Sequence, residues 1–482
     1  MLPRGGTARS AKGAVVTIAR TYHGASAASG PLVYVAATHG AALGEQVVLK
    51  TPGQPPRRGQ VIDVGKDITV IQVSGDTLGM PVAALEITLT GGQALAVVGR
   101  DLLGRALSGA GEPLDGAPQP IGEGLRSLWG APINPVRRLP PADFIETGIS
   151  AIDGMNTLVR GQKLPVFSGS GLPGLELAAT IVEHARAPRG EAFAVVFAAI
   201  GITERETRSF LDRFEATGAL VHSVLYLNQA QDPPIERLLA PRAALACAEH
   251  LAFDHGMQVL VVIADITHYC EALREIAAAR EEVPGRRGYP GYMYTDLATI
   301  FERAGVLRDR PGSVTQLAVL TMPEDDITHP IPDLTGYITE GQLVLSRDLN
   351  LRGVFPPIDV LPSLSRLMNA GIGSERTVPE HRRWADQLYA VYARGREARM
   401  MVAIVGEAGL TPADRRALRF ADDFEREFVH QGASRRTIAE TIECGWRLLD
   451  RLPPEDLLRL GSALLAAREP LRAAVAREGV AR

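Results

Sequence analysis

Residues 169–176 have the spacing of a phosphate-binding loop without its chemistry. In the pattern G-x-x-x-x-G-K-[ST], the lysine meets the β- and γ-phosphates and the hydroxyl holds Mg²⁺. Leu175 stands at the lysine position and Glu176 at the hydroxyl position. A carboxylate there would repel phosphate oxygens by about 1 kcal/mol per charge pair at ~4 Å in water. The full segment reads Gly169-Ser170-Gly171-Leu172-Pro173-Gly174-Leu175-Glu176.

The setting of this loop favours a phosphate-loop origin over an ordinary Gly-Pro turn. Leu164–Phe167 reads as a strand before it, and Leu175–Ala187 reads as a helix after it. Pro173 has no N–H, so one backbone donor to phosphate is missing. We therefore predict a loop that keeps its geometry and has lost its phosphate-binding residues.

Asp265 resembles the acidic residue of a Walker B strand. The apolar run Val259–Ala264 delivers this carboxylate at its carboxyl end, where such an Asp normally binds Mg²⁺. The alternative is a strand-end Asp that caps the next turn, and the residue alone favours that alternative. Together with the upstream glycine loop, the phosphate-loop interpretation is preferred.

A hydrolytic site also needs a carboxylate that orients water, usually on the strand beside the loop. The run Ala192–Ile200 is the candidate strand, and Ile202 follows its glycine. Isoleucine cannot serve this role. Glu204 and Glu206 lie at a predicted helix start, where acidic residues are common for dipole reasons alone.

Two arginine-containing segments offer cations. Arg366 follows a proline-rich stretch; it is either half of a structural ion pair or a finger that reaches a phosphate in a neighbouring subunit. Spacing alone does not decide between these. Arg286–Tyr292 is a basic, aromatic, glycine-rich loop, either a solvated turn or a partner contact.

Length and composition set the class of protein. The 482 residues predict two to four domains, and the apolar fraction of 46% with 22% charged residues is typical of a soluble globular protein. The net charge of −4 does not suggest a nucleic-acid binder. The three cysteines show neither metal-ligand spacing nor a disulfide framework, which favours a reducing compartment. Apolar runs are too short for a bilayer, and no secretory signal is seen.

Hydrophobic patterning predicts a multidomain α/β protein. Residues 1–13 read as a flexible tail, with a transit peptide as the weaker alternative. Residues 14–90 read as a small N-terminal β-barrel, residues 91–374 as an α/β domain with a parallel sheet, and residues 375–482 as a C-terminal α-helical domain. The barrel strands are predicted at Val15–Ile18, Leu32–Ala36, Gln46–Lys50, Gly59–Val64, Asp67–Val73 and Ala84–Leu89.

The later elements follow from the same patterning. Besides the segments named above, we predict helices at Glu204–Thr217, Pro241–His255 and Leu457–Ala467, and strands at Leu220–Leu227 and Val314–Met322. Met400–Val405 reads as the last strand-like run.

These segments, in this order, resemble the B subunit of V-type and archaeal-type rotary ATPases from about residue 20 to about 455. The most specific stretches are Glu146–Lys163, Phe167–Pro173, Glu281–Leu297, Thr328–Gln342 and Pro362–Met368. The resemblance is to the non-catalytic B subunit. Its catalytic partner in the ring, like the F-type β subunit, keeps the lysine loop and a glutamate after the next strand.

The resemblance implies an A₃B₃ ring at the cytoplasmic face of a membrane, joined to rotor and peripheral stalks. ATP or ADP with Mg²⁺ would sit at the A–B interfaces, bound mainly by the catalytic partner. Arg366 would be the finger that completes the partner's site, with Ser363, Ser365 and Asn369 beside it and Tyr337 near the same nucleotide edge. The region after about residue 455 is shorter than in longer relatives.

Two other functions remain open at this point. A self-sufficient NTPase would need a lysine at position 175, where the chain has leucine. A structural scaffold of the ring would bind no nucleotide and offer no finger.

Overall fold

A computed structural model describes residues 19–36, 38–73 and 77–468 of the chain. The predicted tail 1–13, the predicted strand Val15–Ile18 and residues 469–482 lie outside this description. The chain divides into two compact units, Met1–Leu95 and Ala96–Arg482.

The first unit is an antiparallel sheet with one apolar face. Its described strands lie in the order β1-β7-β4-β5-β6-β3-β2. Side chains alternate between core and surface, so that Val47 and Leu49 of β4 are buried between more exposed neighbours. The strands are β1 (Arg20–His23), β2 (Ala27–Ser29), β3 (Leu32–Ala36), β4 (Glu45–Lys50), β5 (Arg57–Val64), β6 (Ile68–Val73) and β7 (Glu86–Gln93).

The second unit contains a largely parallel sheet. Its described strands run in the order β19-β18-β12-β17-β15-β13-β14-β9, parallel from β18 to β9, with β19 antiparallel at the edge. From residue 95 onward the strands are β8 (Leu95–Val98), β9 (Ala106–Ser108), β10 (Gly124–Ser127), β11 (Arg138–Leu139), β12 (Lys163–Gly169), β13 (Phe193–Ile202), β14 (Ser223–Gln229), β15 (Gln258–Ala264), β16 (Gly305–Leu307), β17 (Ser313–Met322), β18 (Gly341–Leu345) and β19 (Ile358–Ser365).

Helices pack against this sheet, whose inner strands β12 and β15 are buried along their whole length. Apolar residues of the strands and of the C-terminal helices belong to one continuous core. The helices are α1 (Ser150–Asp153), α2 (Gly174–His184), α3 (Glu204–Ala216), α4 (Pro234–Phe253), α5 (Ile266–Ala279), α6 (Met293–Phe301), α7 (Pro330–Ile338), α8 (Arg347–Leu351), α9 (Met368–Gly371), α10 (His381–Val405), α11 (Pro412–Asp423) and α12 (Ile438–Leu449). None of the helices in the described part of the chain has the length and hydropathy of a membrane span.

The predicted elements are largely present, with corrections at several ends. Helix α4 begins at Pro234, and Pro241 lies buried inside it rather than at its start. The strand predicted from Leu220 begins at Ser223, because residues before it form a 3₁₀ turn. Met400–Val405 is not a strand but the last part of α10, whose long helical pattern continues through it. The helix predicted from Leu457 begins at residue 462.

A buried histidine joins α10 to the α1 segment. His381 Nε2 donates to Gly154 O at 2.9 Å, and its Nδ1 accepts from Thr377 Oγ1 at 2.9 Å. The ring is fully buried. Burial lowers the pKa of His381 from 6.5 to about 4, because the charged ring would lose its hydration.

We expect His381 to make folding sensitive to mild acid. The unfolded chain binds this proton more tightly, so the stability it contributes is complete above about pH 6.5 and falls as the pH drops toward 4. Relative to His381→Gln, wild type should lose about 2 kcal/mol between pH 7 and pH 5 in urea unfolding.

The comparison with the variant is needed because Asp153 works in the opposite direction. Burial raises the pKa of Asp153 to about 7, so folding gains stability from this group as the pH falls from 7 toward 4. Parallel pH profiles for wild type and His381→Gln would contradict the assignment to His381.

Candidate nucleotide loop and interface groove

The glycine loop joins β12 to α2 at the carboxyl edge of the sheet. Its turn is closed by the Leu172 N–H, which donates to Gly169 O at 3.0 Å. Gly171 has a φ of +76°, a conformation that suits glycine. A Cβ on Gly174 would lie 2.9 Å from Ser168 Oγ, so the helix start packs closely on the strand. The backbone therefore has the strand-loop-helix form predicted from the sequence.

The two substituted positions of the loop make contacts within the protein. Leu175 packs against the apolar core. Glu176 pairs with Arg213 of α3, and the same guanidinium holds Glu183 through contacts of 2.6 and 2.7 Å. The carboxylate at the hydroxyl position thus braces α2 against α3.

An ion pair that sequence spacing did not indicate lies against the loop. Arg347 Nη2 donates to Ser170 O at 3.0 Å and to Asp325 Oδ1 at 2.9 Å. A Cβ on Gly169 would overlap that Asp325 oxygen, so glycine is needed for the close approach. Asp325 follows β17, the strand beside β12. Its place after a strand of the parallel sheet was the one sequence feature that could have indicated a side chain near the loop.

The carboxylate of Asp265 holds the start of α5 and the end of β17 together. Oδ1 accepts the Thr267 N–H at 2.7 Å, which caps α5, and the Thr321 N–H at 3.1 Å. Oδ2 accepts the hydroxyl of Thr321 in β17. Since β17 lies between β15 and β12, Asp265 stands one strand away from the glycine loop.

The position that would orient water is apolar. Ile202 is 3% exposed at the end of β13. Thr203 and Glu206 form a reciprocal capping box at the start of α3, and Glu204 pairs with Arg208 at 3.2 Å. These two glutamates serve the helix start, as their position suggested.

Arg366 and Tyr337 line one open groove of about 400 Å³. Arg366 is exposed, just beyond β19; its backbone N–H donates to Glu340 O at 3.0 Å and its Nη1 to Thr339 O at 3.3 Å. Tyr337 of α7 is 79% exposed. The complete lining is Phe167, Ile327, Pro332, Asp333, Gly336, Tyr337, Gln342 and Arg366.

The hydroxyls of the two serines beside Arg366 form hydrogen bonds within the chain. Ser363 Oγ donates to Asp359 O at 2.6 Å and accepts the Val344 N–H. Ser365 Oγ donates to Thr157 O at 2.9 Å. Both are buried, so their hydroxyls fix the segment that carries Arg366.

Asn369 takes a different position from the two serines. It lies exposed on α9, the short helix that follows Arg366. It remains available to a partner, which the buried serines are not.

The basic aromatic loop is anchored near the groove. Arg286 pairs with Asp333 of α7 at 3.1 Å and donates to Thr328 O at 2.9 Å. Arg287 pairs with Asp326 at 2.9 Å. Asp333 lines the groove, so the ion pair of Arg286 attaches this loop to a groove residue.

A parallel sheet with a glycine loop after an inner strand defines the phosphate-loop class of nucleotide-binding folds. Comparisons with known proteins identify the family within this class. Residues 148–365 match the nucleotide-binding domain of the ATP synthase alpha/beta family. Residues 25–91 match the β-barrel domain of that family, and residues 370–468 match the C-terminal domain of V and A type ATP synthase.

Individual relatives agree with the family models. The V-type ATP synthase beta chain of Anaeromyxobacter dehalogenans (strain 2CP-1) is 59% identical over 465 residues, covering 95% of this chain and 97% of that protein. That of Anaeromyxobacter sp. (strain Fw109-5) is 59% identical, covering 94% and 98%. A solved structure, the ATP synthase subunit NeqB from Nanoarcheaum equitans, is 37% identical with a TM-score of 0.71, covering 88% and 100%.

The chain therefore belongs to the ATP synthase alpha/beta family as a V/A-type ATPase subunit similar to V-type beta chains. This confirms the resemblance found in the sequence. It also confirms the fold class of barrel, nucleotide-binding α/β domain and C-terminal helices.

Proposed function

We propose that this chain is the non-catalytic B-type subunit of a V/A-type rotary ATPase or ATP synthase. It alternates with catalytic A subunits in an A₃B₃ ring at the cytoplasmic face of the membrane, which it reaches only through the complex. Its contribution to chemistry is Arg366, which reaches the phosphates of ATP or ADP. The partner mainly holds this nucleotide together with its Mg²⁺. The rotor and peripheral stalks would be its other partners.

The observation that carries the proposal is the state of the glycine loop. Leu175 packs against the core and Glu176 is paired with Arg213, so neither position offers a cation or a hydroxyl to Mg²⁺–phosphate. The loop therefore does not fit a catalytic nucleotide. Ile202 likewise supplies no carboxylate to activate water.

Arg366 has the properties that a finger needs. It is exposed beside an open groove, and buried hydrogen bonds fix the backbone from which it extends. Its guanidinium is always charged and offers five N–H donors. The 3.3 Å contact with Thr339 O is long, and a phosphate oxygen would make a shorter, charge-assisted bond.

Restoring the loop residues tests the non-catalytic assignment. We expect the isolated wild-type chain not to hydrolyse MgATP. Leu175→Lys with Glu176→Thr should bind MgATP about 10–100-fold more tightly, since one charge-assisted contact contributes about 1.5–3 kcal/mol. It should still not hydrolyse MgATP, because Ile202 is unchanged. Calorimetry and phosphate release measure the two outcomes.

Leu458→Lys is the control for the added lysine alone, since it makes the same Leu-to-Lys change at a position that is 84% exposed. Its affinity for MgATP should equal that of wild type. Hydrolysis by the isolated wild-type chain would overturn the non-catalytic assignment, and unchanged affinity in the double variant would contradict the account of the loop.

A further inference from the structure

Three side chains of the second unit that belong to neither the loop nor the groove converge on one point. His255 Nε2 lies 2.7 Å from Glu123 Oε2 and 3.3 Å from His250 Nε2. His250 Nε2 lies 3.3 Å from the same Glu123 oxygen. Glu123 immediately precedes β10, His250 is in the last turn of α4, and His255 follows that helix.

The spacing of the three atoms matches a tetrahedral metal site. Zn²⁺ binds imidazole nitrogen and carboxylate oxygen at about 2.0–2.2 Å, which places two ligand atoms about 3.3 Å apart. Two of the three observed separations are 3.3 Å. The third would need to open by only about 0.6 Å, well within the reach of the half-exposed Glu123 side chain.

A second carboxylate orients one of the histidines. Asp254 Oδ2 lies 2.8 Å from His250 Nδ1, and Arg126 holds the same carboxylate. Accepting the Nδ1 proton turns the Nε2 lone pair of His250 toward the shared point. A carboxylate behind a ligating histidine is the usual outer partner of a protein metal site.

When both histidines are neutral and no metal is bound, the contacts between these groups are poorly matched. When neutral His250 donates a hydrogen bond from Nδ1–H to Asp254, the Nε2 lone pair of His250 faces the carboxylate oxygen of Glu123. The other oxygen of Glu123 already accepts the Arg100 N–H at 3.0 Å. A cation among the three atoms would convert the facing lone pairs into ligands.

We propose that Glu123, His250 and His255 bind one Zn²⁺, with the fourth position left to water. Two imidazoles and one carboxylate suit Zn²⁺, whereas Mg²⁺ and Ca²⁺ prefer oxygen ligands alone. The ion would fasten the segment before β10 to the end of α4. The site is independent of the proposed function and of the nucleotide-bound Mg²⁺.

The test uses the full-length chain without a histidine tag, stripped of metal and titrated with Zn²⁺ alone. We expect one equivalent to bind, a rise in the thermal midpoint, and a tetrahedral visible spectrum when Co²⁺ replaces Zn²⁺. Asp254→Asn should weaken binding about 10–100-fold. His255→Gln, which removes a ligand, should weaken it further.

His222→Gln is the matched control, because His222 is exposed and outside the cluster. It should bind Zn²⁺ as wild type does, and circular dichroism should show that each variant is folded. The proposal is overturned if wild type binds no Zn²⁺, or if a folded His255→Gln protein binds it as tightly as His222→Gln.

Discussion

Replacing Arg366 with alanine is expected to lower ATP hydrolysis by the reconstituted A–B hexamer about 10³–10⁵-fold, the range found for arginine fingers. The guanidinium would stabilise charge that develops on the transferring phosphoryl group. Because this interaction strengthens in the transition state, kcat should fall far more than KM rises. Steady-state ATPase assays on hexamers purified by size exclusion measure both parameters.

Two further variants separate charge from structure. Arg366→Lys keeps the charge but loses the planar fork of donors, so its activity should lie well below wild type and above Arg366→Ala. Arg208→Ala removes an exposed arginine whose pairing with Glu204 contributes little, and it should leave activity unchanged. Near-wild-type activity of Arg366→Ala in intact hexamers would favour the scaffold alternative.

The largest expected effect on stability lies at Arg303. This side chain is fully buried and forms a two-pronged pair with Glu249 of α4, with contacts of 2.6 and 3.0 Å. It also donates to Leu128 O at 3.0 Å, which ties the segment after β10 to the region around α4. Arg303→Met should destabilise the chain by about 3–5 kcal/mol, because Glu249 would be left without its partner.

The double variant Arg303→Met with Glu249→Leu is the control for this prediction. Removing both charges should restore much of the lost stability, since a buried pair and an apolar pair of similar size are often nearly equivalent. Equilibrium urea unfolding at neutral pH measures the three proteins. If the double variant is no more stable than Arg303→Met, the lost packing of the arginine stem, not the unpaired carboxylate, is the cause.

Much of the fold follows from local patterns. The continuous apolar runs before Gly201 and Asp265 predicted buried parallel strands, which β13 and β15 confirm. The alternation of such runs with helical stretches was sufficient to predict the α/β fold class. Helix ends were less predictable: Pro241 looked like a first-turn proline, yet tertiary packing accommodates it inside α4.

The candidate site was predictable only where motif and fold coincide. The strand-loop-helix form around Gly174 followed from spacing, and so did the loss of chemistry at Leu175. The pair Arg347–Asp325 did not, because a contact between α8 and the glycine loop depends on strand order. Burial of Ser363 and Ser365 could not be predicted, because their alternation along an edge strand gives no sign of which face is covered.

The Glu123 cluster shows the same limit more strongly. Its carboxylate and His250 are 127 residues apart in sequence. Ligand sets are visible in a sequence when they share a helix or a short turn. Here His250 and His255 alone have no recognisable metal spacing, and only the fold brings Glu123 to them.

The most direct test of the central claim, that Arg366 stabilises the transition state on the partner subunit, is trapping of ADP with aluminium fluoride. This complex mimics the transferring phosphoryl group and binds tightly only where the transition-state contacts are complete. We expect wild-type hexamers to retain ADP–aluminium fluoride after gel filtration. Arg366→Ala hexamers should bind ADP but fail to retain the trapped complex. Equal retention by intact Arg366→Ala hexamers would contradict the assignment of Arg366 as the finger.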